Sequence, residues 1–255
     1  MKLLLDLNLN SFTYSVFNTK RNSFEKIKVI QFGKNTDYLK KEIEKTEDFK
    51  KDYNQILGTI HCSKSTFIPT SLFDKKYIHD YLNSDKKLNS PTYIQQKFTD
   101  CYCVYSPNQS LEKILIRSFK NIQIKAFNAI FVDYSIHMSK QGEKEIFVYI
   151  NNNIFHVTYV KKKKFIFYNQ FEFNNHTEFL YFFMNCLNIL ELNTVNFKIN
   201  IMTDLDKSNT IFQKLKKYIN NLYFLKKPNQ FLYENEKLEY MGYKHHSIFG
   251  QLICE

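Results

Sequence analysis

The chain has 255 residues, 44% of them hydrophobic and 17% aromatic, which is enough apolar material for a substantial core and excludes a disordered tail. Only five glycines occur, and no two of Gly33, Gly58, Gly142, Gly242 and Gly250 stand at the spacing of Gly-x-Gly-x-x-Gly or Gly-x-x-x-x-Gly-Lys, so conventional phosphate-cradling loops are excluded. The formal charge of +11 is carried by lysines spread along the chain, with Arg21 and Arg117 the only arginines, so it does not mark a surface built on arginine's bidentate fork.

Taken in order, the chain opens with three strand-like segments at 3–9, 12–18 and 26–32, the second alternating Phe12, Tyr14 and Val16 with Thr13, Ser15 and Phe17. A polar helix is expected over 36–51, with Leu39, Ile43 and Phe49 near helical spacing, then a strand at 55–61. Ser63–Asp74 reads as a loop held by Pro69, 75–83 as a short helix, and 84–97 as the most linker-like stretch. A strand at 99–105 leads to Ser106-Pro107, expected as an N-cap with proline in the first helical position. The helix that follows carries Leu111, Ile114, Leu115 and Phe119 on one face, and a strand at 122–127 and a helix near 128–140 close this half.

The second half repeats the order. Strands are expected at 145–150, 153–160 and 164–169, with Lys161–Lys164 as a solvated hairpin tip. A helix over 176–191 starts on Asn175 with Glu178 three residues on, a capping-box spacing, and buries Phe179, Phe183, Leu187 and Leu190. A strand at 196–203 and a helix at 208–219, with Ile211, Leu215 and Tyr218/Ile219 on one face, come next. The C-terminus reads as an amphipathic helix bearing Ile248, Phe249, Leu252 and Ile253, and Glu234, Glu236 and Glu239 read as solvated charge. Three antiparallel strands followed by alternating helix and strand, twice, predict a mixed α/β duplication. That order resembles two ribonuclease-H-like units in tandem, the actin-like ATPase arrangement, though periodicity alone does not identify the family. The first lobe is expected over 1–141, with an inserted segment at about 62–97. The second is expected over 142–255, with the C-terminal helix.

Several site chemistries lack support. The five cysteines are scattered, and Cys101 and Cys103 are two apart, not at a zinc spacing. They are expected as free thiols. His245-His246 is the only histidine pair and its rings diverge, so no metal site is expected. The longest apolar run, Phe179–Leu190, is broken by Asn185 and Asn188 and is too short to span a bilayer, and Met1–Asp6 falls short of a signal-peptide core. A cytoplasmic protein without membrane insertion is expected.

Thr66-Phe67-Ile68-Pro69-Thr70-Ser71-Leu72-Phe73-Asp74 resembles a signature of the bacterial domain-of-unknown-function family 3822. Val104-Tyr105-Ser106-Pro107, the strand Phe165–Phe173 and the helix start Thr177–Phe183 are similar to further segments of that family in the same order. The resemblance implies the actin-like ATPase fold, related in shape to the pilus-assembly protein PilM and the division protein FtsA. It carries no established activity.

That fold also implies where nucleotide chemistry would sit. Active members hold ATP with Asp-x-Gly-type turns after the first strand of each lobe, and a glycine-rich turn later in the second lobe passes the adenosine. The first turn here is Asp6-Leu7-Asn8-Leu9-Asn10-Ser11, the second runs through Asn151-Asn152-Asn153, and the third falls at Met202-Thr203-Asp204-Leu205-Asp206. None contains glycine. Asp6, Asn8, Asn10, Asn151, Asn152, Thr203 and Asp204 are therefore remnant-cleft candidates. The plainer reading makes Asp6 a strand-edge or turn residue, Asn151–Asn153 a tight hairpin turn, and Asp204 and Asp206 caps of the helix at 208–219. Phe67, Ile68, Pro69 and Phe73 form either a partner-binding edge or self-packing, and packing is the expected role. The functional expectation is a non-catalytic, pseudo-ATPase interaction module with no cofactor and an unidentified protein partner. The alternatives are a degenerate nucleotide binder using the asparagines, and lysine-mediated association with RNA or DNA.

Overall fold

The structure is a computed structural model that describes residues 1–82, 90–151, 153–192, 197–234 and 244–255. The chain divides into two compact units, Met1–Ile130 with Pro228–Gly242 and Ser247–Glu255, and Phe131–Lys227 with Tyr243–His246.

In the first unit, β1 (Lys2–Leu7), β2 (Ser11–Asn18) and β3 (Ser23–Gln31) form an antiparallel meander, followed by α1 (Thr36–Lys45) and β4 (Gln55–Ile60), which lies parallel to β1. An insertion carries β5 (Cys62–Pro69), β6 (Thr92–Gln95) and β7 (Cys101–Pro107), and α2 (Gln109–Ser118) then leads to β8 (Gln123–Ala126) and to α3 (Phe127–Met138), which belongs to the second unit from Phe131 onward. Strand side chains alternate between faces, so Leu3, Leu5 and Leu7 meet Leu39 and Ile43 of α1 and Leu111, Ile114 and Leu115 of α2 in one core. The opposite face holds Asp6, aligned with Thr13 of β2 and Thr59 of β4. Against it pack residues of α6 (His246–Ile253): Phe249 stands edge-on to Phe24 at 5.3 Å, and Gln251 donates to the Leu5 carbonyl at 2.9 Å. Ser247–Glu255 thus belongs to the first unit.

The second unit repeats the order with β9 (Lys144–Asn151), β10 (Ile154–Lys161), β11 (Lys164–Glu172), α4 (His176–Ile189), β12 (Lys198–Thr203), α5 (Thr210–Leu215) and β13 (Leu222–Phe224). Its sheet runs β11-β10-β9-β12-β13, matching β3-β2-β1-β4-β8 in the first, which a short β14 (Leu232–Tyr233) extends beside β3. The duplication expected from periodicity is therefore present strand for strand.

Local chemistry explains where expectation and structure agree. Asn175 Oδ1 accepts from the Thr177 and Glu178 amides, and the Glu178 carboxylate accepts from the Asn174 amide and the Asn175 side chain. The buried side of α4 is Phe179, Phe183, Cys186 and Leu187, with Leu190 half-buried at the C-cap. Asn175→Ala is expected to cost about 1 kcal/mol and lower the melting temperature by about 2–4 °C, read by thermal unfolding. An unchanged midpoint would mean that the cap contributes nothing.

It also explains the departures. Ser63–Asp74 is not a loop: β5 pairs antiparallel with β7, Phe67 opposite Cys103, in the order β5-β7-β6. The linker-like stretch contains β6, while 83–89 lie outside the described residues. The expected helix at 75–83 is two 3-10 turns, Lys75–Tyr77 and Asp80–Leu82. Ser106-Pro107 ends β7, and Asn108 is the N-cap of α2, its side chain accepting from the Ser110 and Leu111 amides. Proline lacks an N–H and is tolerated at such a strand end. The first helix stops at Lys45 because Thr46 turns extended and its hydroxyl donates to the Glu42 carbonyl; a 3-10 turn, Glu47–Lys50, follows. Of the alternatives Tyr218 and Ile219, it is Ile219 that is buried, at 1%, while Tyr218, beyond the end of α5 at Leu215, is 58% exposed.

The lysine tip is a two-residue turn with positive φ at Lys162 and Lys163, the conformation that matches strand twist. It is not merely solvated. Lys163 Nζ donates to the carbonyls of Ile136 at 3.1 Å and His137 at 2.6 Å, closing the C-terminal end of α3 where unpaired carbonyls attract a cation.

Candidate functional site

In the first unit the candidate residues gather at the C-terminal end of β1. Asp6 is not at an edge or in the turn: β1 lies between β2 and β4, and Asp6 is 5% exposed. One carboxylate oxygen accepts the Ser247 hydroxyl at 2.7 Å, and the other stands 3.2 Å from His61 Nε2. The His61 ring in turn stacks on Phe127 at 4.1 Å, 8° from parallel. Serine, aspartate and histidine are thus assembled, but with the carboxylate in the middle. A nucleophilic serine needs an imidazole to take its proton. Here Ser247 points its O–H at Asp6 and is anchored rather than activated.

The adjoining turn offers no phosphate cradle. Asn8 donates its amide to the Ser11 carbonyl, its side chain accepts from the Leu9 amide, and the Asn10 carbonyl accepts from Phe32 and Gly33. Neither asparagine has positive φ, so neither supplies the left-handed residue that turns successive N–H groups toward an anion.

In the second unit the ends of β9 and β12 bring Asn151, Thr203 and Asp204 together. The Thr203 hydroxyl donates to the Ile150 carbonyl at 2.8 Å and accepts from the Leu205 amide at 3.0 Å. Asp204 accepts from the Tyr149 hydroxyl at 3.1 Å and from the His245 amide at 2.9 Å, and Asn151 donates to that tyrosine at 3.0 Å. Asn151 also has negative φ and pairs with Ile154 across the hairpin, while Asn152 lies outside the described residues. The expected capping role is corrected: Asn209 caps α5, accepting from the Ile211 amide, because Asp204 and Asp206 lie too far upstream. Asp206 pairs instead with Lys244 at 3.0 Å.

Phe67 packs against the first unit's core, Ile68 opposes Tyr102 across the ladder, and the exposed Pro69 opposes Cys101. Phe73 stacks on Tyr102 at 4.2 Å and meets Tyr93 at 4.9 Å. No thiol is poised for attack: all five cysteines are buried and free, burial pushes Cys62 and Cys101 up, and Cys186 is pushed up to about 11. Among the described residues no group of three His, Cys, Asp or Glu could hold a metal ion. No described helix is long and apolar enough to cross a membrane.

His61 and Ser247 were not singled out by the sequence. They stand 55 and 241 residues from Asp6, and no local spacing signals their convergence.

The chain belongs to the family described as protein of unknown function (DUF3822), whose sequence model matches residues 1–222. No curated protein matches the sequence. Among solved structures, a Bacteroides thetaiotaomicron protein with an actin-like ATPase fold and unknown function is similar at 17% identity, covering 100% of this chain and 96% of its own, with a TM-score of 0.82. The PilM-PilN type IV pilus biogenesis complex contains a chain that is 7% identical, with 99% and 97% covered and a TM-score of 0.69. The cytoplasmic domain of EpsL, an inner membrane component of the Vibrio cholerae type II secretion system, is 9% identical, with 100% and 95% covered and a TM-score of 0.54. The fold is that of the actin-like ATPases.

Proposed function

From that family and fold, we propose that the chain is an actin-like protein without nucleotide turnover, a pseudo-ATPase that acts in the cytoplasm as a protein-interaction module. The two units are its two lobes. One observation carries the reading: both oxygens of Asp6, the carboxylate where the fold would hold hydrated magnesium, are engaged by Ser247 and His61 of the same unit. The glycine-free turns agree with it, since the Asn8 and Leu9 amides and the Thr203 hydroxyl are spent on internal hydrogen bonds. The occurrence of the same fold in the PilM-PilN complex supports a protein partner, and five free cysteines suit a reducing compartment.

Isothermal titration of the protein with ATP·Mg, paired with a phosphate-release assay, tests the reading. The expected result is no heat of binding at up to millimolar nucleotide and no turnover above the protein-free rate. Micromolar binding with steady hydrolysis overturns it, and binding without hydrolysis would move the chain to a degenerate nucleotide binder.

A further inference from the structure

Both α1 and α2 pack on the same face of the first sheet, and between them lies a groove of about 760 Å3. That is the size of a ligand-binding cleft. Its floor is apolar, with Ile43 and Ile114 almost fully buried and Phe49 half-buried. Its rims are unevenly charged. Lys40, Lys50, Lys113 and Arg117 line it against a single carboxylate, Glu44. Lys40 and Lys50 each pair with an exposed neighbour, Asp37 and Glu47. Lys113 and Arg117 make no ion pair among the described residues, and being four apart on α2 they project from one side of the helix. Arg117 is also one of two arginines among 36 basic residues, and only arginine offers a planar fork to a carboxylate.

We infer that this groove docks a short segment of another protein in which apolar side chains are flanked by carboxylates. The inference rests on the interaction-module reading and gives it a site and a partner chemistry. The floor takes the apolar side chains, and Lys113 and Arg117 take the carboxylates, arginine in two-point fashion. Each helix has ten residues, so the groove is about 15 Å long and fits roughly ten residues of helix or four to five extended. Nucleic acid fits less well, because bases need free aromatic faces. The lining aromatic, Phe49, is instead packed edge-on with Tyr14 at 4.7 Å and with Phe119 at 5.1 Å.

The test is selection of phage-displayed random twelve-residue peptides on the full chain, followed by anisotropy titration of the enriched sequences. Binding is compared on K113E/R117E, R117K and the charge-matched control K20E/R21E. Enriched peptides are expected to carry aspartate or glutamate around apolar residues and to weaken by more than about tenfold on K113E/R117E. R117K should lose part of the affinity and K20E/R21E none, with melting temperatures unchanged because the substituted side chains are exposed. Peptides without net negative charge, equal loss on K20E/R21E, or no enrichment would overturn the inference. Peptides retained by K113E/R117E would overturn the groove while leaving the interaction module standing, which the ATP titration judges separately. A single-stranded RNA oligonucleotide that binds more tightly than any peptide, and is lost on K113E/R117E, would reassign the groove and also overturn it.

Discussion

Asp48→Ala is expected to lower the stability of the first unit by about 3 kcal/mol, measured by chemical denaturation at pH 7. Asp48 lies in the 3-10 turn after α1, with its side chain 8% exposed. Its carboxylate accepts from Lys26 Nζ at 2.6 Å, Lys51 Nζ at 2.9 Å and the Tyr14 hydroxyl at 3.1 Å, and the Tyr53 hydroxyl donates to its carbonyl. Alanine strands the buried Tyr14 hydroxyl and removes the carboxylate that Lys26 and Lys51 share. Because both lysines reach solvent in part, the cost sits at the lower end of that for breaking a buried ion pair.

The same residue fixes an acid limb. Burial pushes the Asp48 carboxyl up, but the hydrogen bonds from Lys26, Lys51 and Tyr14 outweigh it and hold the group at about 2. The folded value therefore lies below the ordinary value of about 3.9, so the stabilisation is complete above that value and is lost as pH falls through 4 toward 2. The amount is on the order of 2–3 kcal/mol. Asp48→Asn keeps the shape and cannot titrate, so the difference in stability between wild type and variant should shrink over that window. Parallel denaturation profiles from pH 5 to pH 2.5 would show that the carboxylate is not what the lysines hold.

Strand order and the α4 cap were legible because both are written within a few residues. The period-two alternation of Phe12, Tyr14 and Val16 fixes a face, and Asn175 and Glu178 satisfy each other's amides. The insertion was not legible. β5 exposes Ser63, Lys64 and Pro69 and half-buries Ser65 to Ile68 between them, so its signal is pairing with β7 some forty residues later. The role of Lys163 is hidden for the same reason: a run of four lysines reads as solvent, and nothing local says that one reaches carbonyls 26 residues upstream. Asp204 and Asp206 misled because acids ahead of a helix are common caps, yet Asn209 already occupied that place. Polar residues were misread where their partners are distant, and apolar ones seldom were, because burial follows from pattern while a hydrogen bond follows from register.

Asp6 is the sharpest instance and gives the second large effect. A magnesium-holding carboxylate would, on substitution, cost activity and little stability. Here the reverse is expected: Asp6→Ala should destabilise by about 2–3 kcal/mol, because it leaves the buried Ser247 hydroxyl without its acceptor and His61 facing a void. Ser247→Ala should cost about 1.5 kcal/mol, since a buried carboxylate loses one of two partners. In the double-mutant cycle the two losses should overlap by about 1 kcal/mol or more, as they belong to one contact. Hydrogen exchange gives the local readout. Amides of α6 from Ser247 to Ile253 should lose protection in Asp6→Ala before those of β1 do, because the carboxylate and the Gln251 bond to Leu5 are what tie the polar side of that helix to the sheet. Strictly additive losses with α6 protection unchanged would free Asp6 from this structural role and return it to the pool of ligands for a cation.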